Sequence, residues 1–215
     1  MVGDVRDGSK GTGAPLVGVL ALQGDFAEHE QALQRQGLRT RQVRRAADLD
    51  GLDALVLPGG ESTTMLKLLD VEELFEPLGR ALRSGIPVLA TCAGLILLAE
   101  QVENPQQRSY GVLPITVVRN GYGRQYHSGT FALAVDGSLR ANARDGLTAT
   151  FIRAPRITRV GDGCTVLARR DGDPVLVQRG NVLGACFHPE LEHDHPVTLH
   201  FAAMVRAATP AVARG

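Results

Sequence analysis

Charge of either sign is not in excess: Lys plus Arg and Asp plus Glu both number 23 in a chain of 215 residues. A balanced chain offers no electrostatic footprint for nucleic acid or for an anionic membrane surface. No apolar run is long enough to span a bilayer, and residues 1–10 lack the apolar stretch of a signal peptide, which predicts a soluble, cytoplasmic protein. Cysteine is scarce. Cys92, Cys164 and Cys186 are odd in number and form no Cys-x-x-Cys pair, so neither a disulfide framework nor a zinc knuckle is indicated, and no metal or cofactor is expected. Internal repeats are absent. A chain of this length buries one substantial core, so residues 15–215 read as a single domain, and the Gly, Asp, Lys and Ser-rich residues 1–14 read as a disordered extension.

Residues 86–100 organise what is there. Pro87 to Ala90 is a short apolar run suited to an inner parallel strand, and Leu95 to Ala99 is apolar but rich in helix formers. Cys92 sits at the join, on Ala90-Thr-Cys92-Ala-Gly94, which has the form of a nucleophile elbow. A side chain there projects from the carboxyl edge of a sheet toward a helix start, where partial positive charge favours a thiolate and free N–H groups can hold an oxyanion. The competing reading is a small buried hydrophobe at a strand end.

Around this stretch the chain alternates strand and helix. Residues 16–22 read as a first strand, and Gln23-Gly-Asp25 turns into a helix with Phe26 and Leu33 on its apolar face and a stop at Gly37. Residues 38–43 and 54–57 are further strands; Pro58-Gly-Gly60 then leads to Glu61 and Ser62, which open a helix as ordinary caps or face a ligand at the strand's carboxyl end. Residues 71–83 read as another helix, interrupted by Pro77 and closed by Gly85. The alternation predicts an α/β fold of three layers, with a flavodoxin-like, mostly parallel sheet and helices on both faces. Residues 102–109 read as an outward loop, 113–118 and 131–135 as strands flanking a ligand- or partner-receiving loop at 119–125, and 149–152, 165–168, 175–178 and 182–187 as added antiparallel strands. His195-Pro196 starts a closing helix, with Asp194 as its N-cap and Leu199, Ala202, Ala203 and Val205 toward the core.

A cysteine nucleophile needs a base, and the base needs an acceptor on its second ring nitrogen. His188 and Glu190, two apart near the chain's end, supply both if the segment is extended, giving a Cys92, His188, Glu190 triad. His29 on the first helix, His127 in an outer loop and His193, His195 and His200 in or beside the last helix are weaker bases. Cys186 lacks a helix start of its own, and the cluster Glu190, His193, Asp194, His195 matches no common zinc spacing.

These residues resemble the class I glutamine amidotransferases, and among them most nearly the branch of glutaminase subunits of pyridoxal 5′-phosphate synthases. The likeness is carried, in order, by Gly18-Val-Leu-Ala-Leu-Gln-Gly24, Pro58-Gly-Gly-Glu-Ser-Thr-Thr64, Thr91-Cys-Ala-Gly-Leu95, Gly123-Arg-Gln125, Phe151-Ile-Arg-Ala-Pro155 and Phe187-His-Pro-Glu-Leu191. The resemblance implies hydrolysis of L-glutamine to L-glutamate and ammonia. The ammonia would be channelled to a separate (β/α)8 synthase subunit, in an assembly of twelve synthase and twelve glutaminase subunits. It further implies a glutamine site lined by Gly60, Glu61, Ser62, Arg119, Ile152 and Arg153, an oxyanion hole from the N–H groups of Gly60 and Ala93, and little activity in the isolated subunit. Ala90 stands where many relatives carry Gly. A glutaminase subunit of another synthase, or a non-catalytic docking protein, are the alternatives.

Overall fold

A computed structural model describes residues 13–122, 128–136, 139, 143 and 146–209; the greater part of the expected extension, and His127 and Gly123 to Gln125, lie outside them. The first three strands, β1 (Leu16–Leu20), β2 (Arg39–Val43) and β3 (Ala54–Leu57), alternate with helices α1 (Phe26–Arg35) and α2 (Ser62–Val71). After α3 (Phe75–Leu82) come β4 (Val88–Thr91) and α4 (Ala93–Leu98). Strands β1, β3 and β4 are buried at every position, whereas β2 is mostly half-buried, and this places the first three inside and β2 on the rim.

Beyond α4 the chain is mostly β: β5 (Ala99–Glu103), β6 (Leu113–Val118), β7 (Ser128–Val135), β8 (Leu147–Ile152), β9 (Arg156–Val160), β10 (Thr165–Arg170), β11 (Asp173–Arg179) and β12 (Val182–Ala185), closed by α5 (Pro196–Ala208). Among the described residues the main sheet has nine strands in the order β2-β1-β3-β4-β12-β11-β10-β7-β8, and β5-β6-β9 form a second sheet. The pairings from β2 through to β12 are parallel, and those from β12 out to β8 are antiparallel. The carboxyl ends of β1, β3, β4 and β12 therefore share one edge. The far strand returns to it: His188, just past β12, donates its N–H to the Thr150 carbonyl of β8 at 2.9 Å. This bond closes the antiparallel strands into a ring beside that edge.

Several expectations need correction. The strand expected to be antiparallel at 182–187 is β12, which pairs parallel with β4 and antiparallel only with β11, and the helix expected over 71–83 is α3 at Phe75–Leu82, Val71 being the last residue of α2. Residues 99–103 are a strand rather than the helix's end and an outward loop, because Ala99 turns to extended backbone (φ −60°, ψ 147°) and Ala99 and Val102 are buried against β6. Residues 156–160 form β9, which sequence reading gave no element; Ile157 is its single buried side chain, too little for an alternating pattern. The α5 cap is His195, whose Nδ1 accepts the Val197 N–H at 3.1 Å, while Asp194 is turned out to the Gln36 amide at 2.7 Å. The buried face of α5 is Val197, Thr198, Phe201, Ala202 and Val205; Ala202 and Val205 were expected there, but Leu199 is only half-buried and Ala203 is exposed.

Candidate active site

Cys92 joins β4 to α4 with φ 45° and ψ −102°. A non-glycine residue at positive φ is strained, and the surrounding bonds hold it there. Its N–H donates to the Ala185 carbonyl at 2.9 Å, and the Gly94 N–H donates to the Pro58 carbonyl at 3.1 Å. Gly94 rests directly on the Leu57 carbonyl, where any Cβ would overlap it, so α4 can seat against β3 only with glycine at this position. The Cys92 Sγ lies 3.9 Å from the Ile152 carbonyl oxygen at the end of β8.

His188 arrives across the sheet edge. Its segment turns rather than running extended, since Pro189–Leu191 is a 3-10 turn, and this swings Glu190 back so that Oε1 is 2.7 Å from His188 Nδ1. The expected pairing is present, through a turn instead of a shared strand face. The imidazole is buried, with its Nε2 outside ordinary hydrogen-bond range of any described acceptor and the Cys92 thiol beside it. Burial opposes charge on this ring, but its contacts with Asp25, Cys92 and Glu190 outweigh it and raise the His188 pKa well above its ordinary value.

Two groups that the sequence reading passed over complete the surroundings. Asp25, read only as part of the turn into α1, places Oδ2 3.3 Å from His188 Nδ1. His29, set aside as a helix-borne histidine, is buried with Nε2 3.1 Å from Thr91 Oγ1 and 3.3 Å from Glu190 Oε2, and its burial lowers its pKa. Strand order brings them here: the turn just past β1 shares the carboxyl edge with Cys92.

A cavity of about 230 Å³ opens on this edge, lined by Cys92 and His188 together with Gly60, Glu61, Ser62, Arg119, Ile152 and Arg153, and also by Asp25, Ile96 and Asn120. Glu61 is both cap and lining. Its carboxylate accepts the Thr63 and Thr64 N–H groups at 3.2 and 2.7 Å and pairs with Arg119 at 3.0 Å. Burial would raise its pKa, but the Thr63 and Thr64 hydrogen bonds prevail and bring it down to about 2. Gly60 has φ 145°, and a side chain there would strike the Gln23 amide.

The alternatives read from the sequence separate from this site. Cys186 is fully buried, and burial pushes its thiol well up, away from nucleophilic use. His195 has both ring nitrogens engaged, with the Val197 N–H and the Thr148 carbonyl, and His193 pairs with Asp194 at the surface. Among the described residues only Asp25, His188 and Glu190 converge closely enough to suggest a metal, and there both carboxylates already face the imidazole's Nδ1. No helix among the described residues is long and apolar enough to cross a membrane.

Comparison with known proteins bears on this geometry. The profile of the SNO glutamine amidotransferase family matches residues 19–207. A pyridoxal 5′-phosphate synthase subunit PdxT from Thermotoga sp. (strain RQ2) is 47% identical over 190 residues, covering 88% of this chain and 99% of that protein. The PdxT subunit of Cutibacterium acnes is 50% identical over 193 residues, covering 86% and 94%. A crystal structure described as a glutamine amidotransferase superposes with a TM-score of 0.79 at 42% identity, covering 88% of this chain and 98% of that one. The structure of PurLQS from Thermotoga maritima, at 19% identity and a TM-score of 0.67 over 88% of this chain and 98% of that one, shares the fold.

Proposed function

Since the chain belongs to the SNO glutamine amidotransferase family, we propose that it is the glutaminase subunit of a pyridoxal 5′-phosphate synthase, hydrolysing L-glutamine to L-glutamate and ammonia. The observation that carries this reading is the single small cavity in which a strained Cys92 and the acceptor-backed His188 meet Gly60, Glu61, Ser62, Arg119, Ile152 and Arg153. Its size suits one amino acid. Arg119 and Arg153 offer cationic donors to an α-carboxylate, and Glu61 offers an acceptor to an α-ammonium group.

The sulfur of Cys92 attacks the side-chain amide carbon. The N–H groups of Ala93, which as the first residue of α4 has no intrahelical acceptor, and of Gly60 receive the oxyanion. Such a donor is typically worth about 2.7–4 kcal/mol. The His188 imidazolium protonates the departing ammonia, leaving a thioester. The now neutral ring takes a proton from water, hydroxide displaces the thiolate, and glutamate leaves. Glu190 on Nδ1 keeps Nε2 directed at the reacting atoms. The ammonia passes to a (β/α)8 synthase subunit, in a cytoplasmic assembly of twelve subunits of each kind, and the domain of residues 15–215 carries the whole site.

Cys92→Ala, assayed with the synthase subunit, is expected to fold with unchanged circular dichroism and to lose ammonia release by at least about a thousandfold. Ammonia release at the parent rate would remove Cys92 from the mechanism. Turnover stimulated by this synthase subunit, and not by other glutamine-dependent synthases, is expected if the partner is rightly assigned.

A further inference from the structure

Asp25 occupies the N-cap position of α1 yet makes no side-chain cap hydrogen bond. An aspartate there ordinarily accepts an N–H from the first turn, a bond worth about 0.5–2 kcal/mol. Here the carboxylate is turned to His188, with Oδ2 3.3 Å from the same Nδ1 that Glu190 holds at 2.7 Å. The approach is cleared by Gly59, where a Cβ would collide with the imidazole and come within 2.9 Å of Asp25 Oδ2. Asp25 also differs from Glu190 in exposure: its side chain is 38% exposed and lines the cavity, whereas that of Glu190 is fully buried.

We propose that Asp25 is a positioning residue of the glutaminase, a second carboxylate on Nδ1 that keeps His188 protonated when the cavity is open and so extends the pH range of turnover upward. This rests on the Cys92–His188 reading of the site. One carboxylate suffices to orient the ring; a second adds charge at the moment the ring must carry its proton beside the sulfur. The titratable groups facing His188 are Asp25 and His29 from the start of α1, Glu190 from the turn after β12, and Cys92 from the β4–α4 corner. Of these, only Asp25 is a carboxylate open to the cavity. It is also held below the usual carboxylate range, first by its hydrogen bond to His188, so its charge persists throughout the working range. An opposite charge at this distance moves a pKa by about 1–3 units.

The test is the pH dependence of kcat/KM for glutamine hydrolysis by the complex with the synthase subunit, compared among parent, Asp25→Asn, Asp25→Glu and Cys92→Ala. Asp25→Asn is expected to move the alkaline limb down by about one unit or more. Near the acidic side of the optimum the loss should stay below about tenfold, and Asp25→Glu should restore most of the range. The His188 ring titration in the isolated chain, followed by nuclear magnetic resonance, should move in the same direction. An Asp25→Asn profile with an unmoved alkaline limb, or a uniform loss at every pH that Asp25→Glu shares, overturns the proposal. Cys92→Ala separates the two readings. If it abolishes turnover while Asp25→Asn leaves the profile intact, Asp25 is dispensable and the nucleophile stands; if it does not, the site itself is misassigned.

Discussion

His188 and His29 carry opposite pKa shifts although both rings contact Glu190. For His29, burial dominates and favours the neutral ring, so its contribution to stability is present above its ordinary pKa of 6.5 and is lost as pH falls below that value. For His188 the hydrogen bonds prevail, so its contribution is complete below 6.5 and is lost as pH rises through the elevated folded value. Urea midpoints of the parent should therefore fall on acidification below about pH 6.5, and His29→Leu should weaken that fall. An equally steep fall in the variant would mean that His29 is not the group being protonated. Glu61 acts lower: its stabilisation is lost as pH drops from 4.5 toward 2, and Glu61→Gln should flatten the curve in that window. Cys92, His188 and Glu190 could be read from the sequence because each side chain has its own chemistry and lies in a recognisable local context. Asp25 and His29 could not, because a turn aspartate and a helical histidine are common in any chain, and only their neighbours make these two unusual.

Helix α4 is held by the close approach of Gly94 to the end of β3, and the elbow's strained backbone depends on that seat. Gly94→Ala forces the helix away from Leu57. We expect a loss of about 1–3 kcal/mol in denaturant unfolding, together with loss of glutamine turnover even where the chain still folds. Unchanged stability with full turnover would show that α4 can shift without disturbing Cys92. At this scale the parallel half was legible, since continuous apolar runs such as 54–57 and 87–90, each followed within a few residues by Gly, specify strand, turn and helix within a few positions. Strands β5 and β9 were not, because their few buried side chains become meaningful only beside β6.

Across the whole molecule, the site depends on the antiparallel ring returning to the parallel edge. Phe151 anchors that return: fully buried in β8, it contacts the rings of Tyr122, Phe131 and Phe187. Its neighbours act directly on the site, with Thr150 accepting the His188 N–H and Ile152 facing the Cys92 sulfur. Phe151→Ala should cost about 3–5 kcal/mol in stability, and in the surviving folded fraction lower kcat along with it. A stable variant with parental kcat would uncouple the ring from the site. The sequence by itself determined the α/β alternation, the elbow at Cys92 and the His188–Glu190 pair, because each rests on periodicity or spacing within a short segment. Only the tertiary structure decided which residues surround them. Cys92 meets Ile152 across 60 positions and His29 meets Thr91 across 62, and contacts so remote are set by strand order and closure of the sheet, which leave no local pattern to read.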